Sequence, residues 1–192
     1  MFIKNSSSSN LKSKIHKAVA IALISAGFIP ASHAAPVNRD INNPNDKSIT
    51  GDPTAVILNN GQSFTVDNDG TISGTAAVDN GQGIGLTSGS TITTLTNNDT
   101  ISGEAGNDTG HGTSLKFSTI TTLTNNGTIS GEAGTDAGRG ISLSRSTITT
   151  LTNNDTISGT ATNDFGQGIR LSNNGDTVNS TIGTLTNNGT IS

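Results

Sequence analysis

One pattern of apolar and polar positions recurs along most of this chain. The segment Thr-Ile-Thr-Thr-Leu-Thr-Asn-Asn-(Asp/Gly)-Thr-Ile-Ser returns about every 28 residues, with one longer unit before the last copy. The copies are Thr91–Ser102, Thr119–Ser130, Thr147–Ser158, Thr181–Ser192 with Gly183 in place of one Thr, and a looser version at Phe64–Ser73. Repeats of this length are typical of solenoids, in which each unit buries its apolar side against the next.

Within one repeat, Ser118–Arg145, the spacing of apolar residues predicts three short strands separated by turns. Ile120 lies three residues before Leu123, which predicts a bend or a strand start between them. Asn126-Gly127 is a strong turn signal. The expected inward residues are Leu123 and Asn125 in the first strand, Ile129 in the second, and Ile141 and Leu143 in the third.

Three strands per repeat predict a right-handed parallel β-helix of about four or five coils, each about 4.8 Å above the last. Its interior would consist of stacks of like residues. The predicted stacks are Leu95, Leu123, Leu151 and Leu185; Ile101, Ile129, Ile157 and Ile191; and Leu86, Leu115, Leu143 and Leu171.

Two polar columns accompany these stacks. The first, if it points inward, forms an asparagine ladder along the stack; its members are Asn97, Asn125, Asn153 and Asn187. In the second, Asp and Gly alternate, and because both residues tolerate a left-handed backbone we expect that conformation there; its members are Asp99, Gly127, Asp155 and Gly189.

A second motif, Asp-x-Gly-x-Gly-x-x-Leu, offers the best candidate for chemistry. Its acidic residues are Asp79, Asp108, Asp136 and Asp164. Stacked coils would place these carboxylates in one row, roughly 5 Å apart. The favoured interpretation is a turn in which Asp accepts backbone N–H groups and Gly supplies positive φ. The alternative is a calcium ladder, with the same four residues as metal ligands.

Other reactive groups are sparse. His111 shares its column with Gln82, Arg139 and Gln167, which indicates a surface side chain, and nothing places it in a Ser-His-Asp arrangement. Glu104 and Glu132 are expected to be solvated loop charges. Arg139, Arg145 and Arg170 offer only scattered positive charge. We therefore expect no catalytic residue.

The N-terminus resembles a secretory signal peptide. Four lysines precede an apolar run, Ala18–Ile29, and Ser32-His33-Ala34 supplies small residues for cleavage after Ala34. Residues 1–34 are thus the predicted signal, 35–61 a polar lead-in and possible N-terminal cap, and 62–192 the β-helix repeats. Removing the signal changes the formal net charge from −4 to −8, because the signal carries four lysines and no acid.

This charge argues against nucleic acid as a partner. The absence of cysteine rules out disulfide and thiol chemistry, and 24 glycines with five phenylalanines rule out a compact core of bulky side chains.

The string Leu-Thr-Asn-Asn-Gly-Thr-Ile-Ser-Gly at Leu123–Gly131 is similar to the repeat of bacterial autotransporter passenger domains, which are exported by type V secretion. The resemblance covers about Phe64 to Ser192. It implies a Gram-negative surface or secreted protein, often a virulence-associated adhesin, whose parent carries a C-terminal outer-membrane β-barrel. The sequence ends at Ser192 in mid-repeat, so we expect a piece of a longer protein or a truncated gene.

The main functional hypothesis is a non-catalytic passenger stalk, exposed at the cell surface or secreted. Its partner would be a ligand on a host or neighbouring cell, or a second copy. The alternatives are a β-helical enzyme acting on polysaccharides, which needs acids and bases on one exposed face, and an ice-binding protein, because strands such as Thr147–Thr152 would present rows of hydroxyl groups.

Overall fold

The computed structural model describes residues 40–43, 47–59, 61, 63–173, 175 and 177–192, all within a compact unit that spans Ser32–Ser192. These residues form parallel strands stacked as a β-solenoid of about five turns, without any helix. The predicted signal peptide, residues 1–34, lies outside the described residues. Among the described residues we find no helix with the length and hydropathy needed to cross a membrane.

Each full coil contributes one strand to each of three parallel sheets. The first sheet contains β1 (Ile41–Asn43), β4 (Ser63–Asn68), β7 (Thr91–Asn97), β10 (Thr119–Asn125), β13 (Thr147–Asn153) and β16 (Thr181–Asn187). The second contains β2 (Ser48–Gly51), β5 (Thr71–Ala76), β8 (Thr100–Ala105), β11 (Thr128–Ala133), β14 (Thr156–Ala161) and β17 (Thr190–Ile191). The third contains β3 (Thr54–Leu58), β6 (Gly81–Leu86), β9 (Gly110–Lys116), β12 (Gly138–Ser144) and β15 (Gly166–Ser172).

The three predicted stacks of apolar residues are confirmed by the strand register. Leu123 pairs with Leu95 and Leu151, Ile129 with Ile101 and Ile157, and Leu143 with Leu115 and Leu171. Each inner coil thus has its apolar residues covered on both sides by the same residue types. The core is continuous along the solenoid because no coil buries its side chains alone.

The pairing in the first sheet is interrupted between Ile120 and Leu123, where the spacing predicts a bend or a strand start. In β10 the ladder pairs Ile120 and Thr122 with the next coil but skips Thr121, which is exposed. Residues three apart on a regular strand point to opposite faces, yet Ile120 and Leu123 are both buried. The residue skipped in the pairing shifts the alternation by one, so that both side chains point inward. Strand β4 lacks the extra residue, so Thr93 of β7 has no counterpart in it and the register shifts between Phe64 and Thr65.

Glycine closes the corner between the second and third sheets, but not for the predicted reason. The glycines of the Asp-x-Gly-x-Gly motif do not have positive φ. A Cβ at Gly110 would overlap the carbonyl oxygen of Glu132, and one at Gly138 would overlap that of Thr160. Adjacent backbones therefore approach too closely for any side chain, and this close approach selects glycine.

The left-handed backbone lies at a different corner from the one predicted. The column Asp99, Gly127, Asp155 and Gly189 has no positive φ. Positive φ occurs instead between the third and first sheets, at Ser88 (58°), Phe117 (53°) and Arg145 (51°). The guanidinium carbon of Arg145 lies 4.8 Å from the centre of the Phe117 ring, so a cation–π contact joins two of these corners.

The segment interpreted as a lead-in or cap, residues 35–61, supplies the first coil in its described part. Ile41 pairs with Val66, Ile49 with Ile72, and Leu58 with Leu86. Its short strands therefore continue the apolar stacks, although its sequence lacks the repeat.

One corner is longer than the others. Only a short turn joins Ser144 at the end of β12 to Thr147 at the start of β13. The connection from Ser172 at the end of β15 to Thr181 at the start of β16 is longer. At the base of this connection the Ser180 hydroxyl donates to the Ser172 carbonyl at 2.7 Å. The register resumes unchanged, with Thr181 opposite Thr147.

Candidate functional surfaces

The predicted asparagine ladder runs along the inside of the solenoid. Each Nδ2 donates to the Oδ1 of the asparagine in the next coil, at 2.7–2.8 Å. The ladder contains the predicted Asn97, Asn125, Asn153 and Asn187 and extends to Asn43 and Asn68, which sequence comparison did not include.

These inner amides also hold the backbone between the first and second sheets. The Asn125 Nδ2 lies 2.6 Å from the Gly127 carbonyl oxygen and 2.9 Å from the carbonyl oxygen of Thr156 in the next coil. One buried side chain thus adds hydrogen bonds to backbone carbonyls of two successive coils and joins those coils at the turn. The column is structural.

A second asparagine ladder, not predicted, follows the outer surface. Asn98 donates to Asp69 at 2.7 Å, Asn126 to Asn98 at 2.8 Å, and Asn154 to Asn126 at 2.8 Å. Asn188 completes the row by donating to Asn154 at 2.9 Å. Here each amide donates toward the N-terminal end of the stack, opposite to the inner ladder. The repeated Asn-Asn pair in the sequence could have predicted this outer ladder, because adjacent strand residues face opposite sides of the sheet.

The aspartate column lies in the loops immediately before the third-sheet strands. The Oδ1 of Asp108 accepts the Thr109 N–H at 2.8 Å, and that of Asp136 accepts the Ala137 N–H at 3.0 Å. The Thr109 hydroxyl lies 3.5 Å from a carboxylate oxygen of each of these acids. Asp79 and Asp164 are exposed. Two of the four carboxylates therefore have the local backbone contacts of the turn interpretation.

A calcium ladder would surround each ion with several oxygen ligands, which can be carboxylate, backbone carbonyl or water oxygens. Across the part of the chain that the structure describes, no three His, Asp or Glu side chains are placed to hold a metal ion. The row supplies carboxylate oxygens in successive coils, and the calcium ladder stays a prediction.

The structure gathers on one face residues that the sequence suggested were scattered. His111 pairs with Gln82 on one side and Arg139 on the other along the third sheet. The Arg139 Nε donates to the Gln167 Oε1 at 3.4 Å, and Arg170 lies in the coil after Arg139. Burial and the nearby Arg170 lower the pKa of Arg139.

His111 is buried, so its interpretation as a surface side chain was wrong. The neighbouring coils carry the long side chains Gln82 and Arg139 at the paired positions. Burial, followed by the positive charges of Arg139 and Arg170, lowers the pKa of His111 to about 3, although Asp136 opposes this shift. The imidazole is therefore neutral near pH 7, and its Nδ1 has no hydrogen-bond partner within the described structure.

Threonines form regular rows on the outer face of the first sheet. They alternate with the inward leucine and asparagine of each strand, and the register aligns them coil by coil. Two such rows are Thr94, Thr122, Thr150 and Thr184, and Thr96, Thr124, Thr152 and Thr186.

An open groove follows the ends of the second-sheet strands. Its lining includes Thr75–Ala77, Glu104–Gly106 and Glu132–Gly134. Glu104 and Glu132 are exposed, in agreement with their prediction as solvated charges.

Comparison of the chain with protein-family models, curated proteins and solved structures produced no match.

Proposed function

We propose that this chain is part of a right-handed β-helical stalk, exported and exposed at the cell surface or secreted, which serves adhesion or self-association rather than catalysis. The observation that carries the proposal is the repetition of the outer surface. Threonine rows and an asparagine ladder present the same groups in one coil after another. Such a surface favours many equal, weak contacts, whose combined strength grows with their number.

The resemblance to autotransporter passengers and the predicted signal peptide support the proposed export. The formal net charge of −4 for the whole chain supports a partner other than nucleic acid.

A display experiment tests this function. Residues 35–192 would be anchored on a non-adherent bacterium, and cell settling and attachment to host-cell layers would be measured. We expect both to exceed those of cells with the anchor alone by several-fold. Replacing Thr122 and Thr150 with Glu should reduce them, whereas replacing Glu104 and Glu132 with Gln serves as a control on another face. Equal behaviour of all strains, or strong hydrolytic turnover by the folded chain, would contradict the proposal.

A polysaccharide-acting enzyme is the second candidate, favoured by the side chains on the third sheet. Arg139 and Arg170 lie in adjacent coils, and the charge of Asp136 acts on both His111 and Arg139. This candidate predicts release of reducing sugar from acidic polysaccharides, with loss of release in Arg139→Gln. An absence of release from a panel of such substrates would remove it.

Ice binding is favoured by a different observation, the alignment of the threonine rows. Rows repeat about every 4.8 Å between coils and about 7 Å along a strand, which gives a regular array of hydroxyl and methyl groups. Thermal hysteresis that disappears in Thr150→Lys would support this candidate, and freezing behaviour equal to that of a control protein would exclude it.

Calcium binding stays a prediction about the aspartate column. Far-UV circular dichroism with and without millimolar calcium distinguishes the two interpretations of Asp79, Asp108, Asp136 and Asp164. A cooperative β melting transition that calcium leaves unchanged supports the turn, and a calcium-dependent rise in melting temperature supports the metal ladder.

A further inference from the structure

Charged residues are distributed unequally among the three sheets. Every lysine and arginine that lies in a described strand belongs to the third sheet: Lys116 in β9, Arg139 in β12 and Arg170 in β15. The acidic residues of the described strands all lie in the first and second sheets, and no strand of the third sheet contains one. The third sheet is therefore positively charged, although the formal net charge of the chain is −4.

Lys116 and Arg170 project from the outer side of the third sheet. Lys116 follows the buried Leu115 and is exposed. Arg170 pairs with Ser142 of the preceding coil, and Ser142 follows the buried Ile141. Because successive residues of a strand face opposite sides of the sheet, both basic side chains point away from the core.

Arg139 lies on the same side because of a local irregularity. The ladder pairs Arg139 and Ile141 with the next coil but skips Gly140 between them. The column of Arg139 also contains Gln82, whose Oε1 would lie 2.6 Å from a Cβ built on Gly85. Gly85 lies between two buried residues, so that Cβ would point outward and the column lies on the outer side. We call Lys116, Arg139 and Arg170 the basic face.

The guanidinium charges of the basic face lack a close counter-ion. Within the described part of the chain, neither Arg139 nor Arg170 forms an ion pair with a carboxylate, and the Arg139 Nε donates to the neutral Gln167 Oε1. Asp108 and Asp136 lie in the loops before the strands, where each Oδ1 accepts a backbone N–H. Burial and the charge of Arg170 outweigh these acids and lower the pKa of Arg139. An anion bound between the two guanidinium groups would offset their repulsion.

Hydroxyl and aromatic groups border the basic face. Ser114 and Ser144, both partly exposed, lie on the outer side of β9 and β12. Phe117 follows β9 and is 45% exposed, and its ring contacts the guanidinium of Arg145. An apolar ring beside hydroxyl and basic groups suits a sugar ring, which has apolar C–H faces and hydroxyl groups at its edge.

We propose that the basic face binds an acidic polysaccharide, with Lys116, Arg139 and Arg170 contacting its carboxylate or sulfate groups. The proposal rests on the proposed function, because it names the ligand class of an adhesive stalk. Coils lie about 4.8 Å apart, so the three basic residues span about 10 Å along the stack. This low density of positive charge matches a polysaccharide with an anionic group on every or every second sugar ring. It does not match duplex DNA, which has one charge per about 1.7 Å.

The negative net charge of the chain is compatible with this binding. Salt screens charges that are further apart than about 8–10 Å, so the groups next to the ligand determine whether it is attracted. Lys116 and Arg139 lie in β9 and β12, and each of these strands has a paired strand on both sides. The basic face is thus formed mainly by inner coils of the solenoid.

Equilibrium binding of the full chain to three polysaccharides tests the proposal. Hyaluronate carries only carboxylates, dextran sulfate carries only sulfates, and dextran is the neutral control. We expect binding to one or both of the anionic polymers and none to dextran, with affinity that falls as salt is added. Binding to hyaluronate alone assigns the carboxylate as the recognised group, and binding to dextran sulfate alone assigns the sulfate.

Substitutions locate the binding on the basic face. Lys116→Gln and Arg139→Gln should each lower the affinity by about three- to five-fold, and the double variant by about ten-fold. Gln occupies the column of Arg139 in other coils and should fit there. Lys47→Gln is the matched control, because it removes the same charge from an exposed lysine just before β2 of the second sheet and should leave the affinity unchanged. Circular dichroism would verify that all variants fold.

Four results would overturn the proposal: no binding to either anionic polymer, equal binding to dextran, an equal loss in Lys47→Gln, or tighter binding to a DNA duplex. Release of reducing sugar during binding would also overturn it, since the face would then be catalytic. Adhesion in the display experiment without binding to either polymer would reject this site alone. Binding to the polymers without adhesion by the displayed chain would reject the proposed function and leave the site.

Discussion

The inner and outer asparagine ladders set the same chemistry in two environments. Asn125 and Asn126 are neighbours in sequence, and each exchanges amide hydrogen bonds with its counterparts at 2.8 Å. Asn125 is buried and its amide also contacts two carbonyl oxygens, whereas Asn126 is exposed. Water can replace the partners of Asn126 but not those of Asn125, so equal hydrogen bonds should differ widely in their contribution to stability.

Buried polar groups that lack a partner extend the comparison. The Nδ1 of His111 and the Oγ1 of Thr113 are buried without a hydrogen-bond partner in the described structure. Like the asparagines of the inner ladder they are buried, but they lack the hydrogen bonds that offset the cost of burying a polar group. Four substitutions separate these cases.

The largest effect is expected from Asn125→Ala. It would leave the Oδ1 of Asn153 without its donor, remove one hydrogen bond from each of two backbone carbonyls and open a cavity. We expect a loss of about 3–5 kcal/mol in the free energy of unfolding, measured by urea denaturation. The end rung supplies the control: Asn187 is exposed, so Asn187→Ala should cost much less. Equal losses would show that burial is not the deciding factor.

His111→Gln should change the pH dependence of stability. The folded pKa of His111 is lowered from 6.5 to about 3, so the unfolded state binds the proton first as pH falls. The contribution of neutral His111 to the free energy of unfolding is thus fully present above pH 6.5 and is lost progressively as the pH falls toward 3. Between pH 7 and pH 4.5 we expect the native chain to lose about 2–3 kcal/mol more than the variant. Gln occupies this column in two other coils and should fit. Parallel pH profiles for both proteins would contradict the assignment.

Thr113→Val should increase stability. Thr113 occupies the inward column that carries Val56, Ile84, Ile141 and Ile169 in the other coils. Valine preserves the shape and removes the unpartnered hydroxyl, which should add about 1–2 kcal/mol to the free energy of unfolding. Thr122→Val, on the outer face, is the matched control and should have little effect. A destabilised Thr113→Val would mean that the hydroxyl has a partner after all.

The smallest effect is expected from Asn126→Ala. Its hydrogen bonds lie at the surface, so the urea midpoint should shift by no more than about 0.5 kcal/mol in unfolding free energy. A loss close to that of Asn125→Ala would show that the outer ladder is as strongly coupled as the inner one.

The repeats gave most of the fold in advance because a solenoid converts sequence periodicity directly into spatial stacks. The alignment of Leu95 with Leu123 and Leu151 needed nothing more than the 28-residue offset. The first coil was missed because its strands carry Ile41, Ile49 and Val56 at matching positions without the repeated string.

Backbone geometry was harder to predict than stacking. Glycine in a motif has two explanations, left-handed φ and close backbone approach, and sequence does not separate them. Gly110 and Gly138 of the Asp-x-Gly-x-Gly motif belong to the second kind, while ordinary residues such as Phe117 adopt the left-handed backbone at another corner. The polar cluster on the third sheet was missed for a related reason: Arg139 and Arg170 are 31 positions apart and become neighbours only when the coils are stacked.

The long corner after β15 shows that a surface loop of this architecture can change in length while the stacked strands keep their pairing. The distance along the chain from Thr147 to Thr181 is 34 residues instead of 28, yet the strands on either side keep their pairing. Duplication of a whole unit would add one coil, while lengthening of this corner would add new surface without disturbing any coil. The protein can therefore vary its length and its displayed loops independently, as a modular display scaffold does.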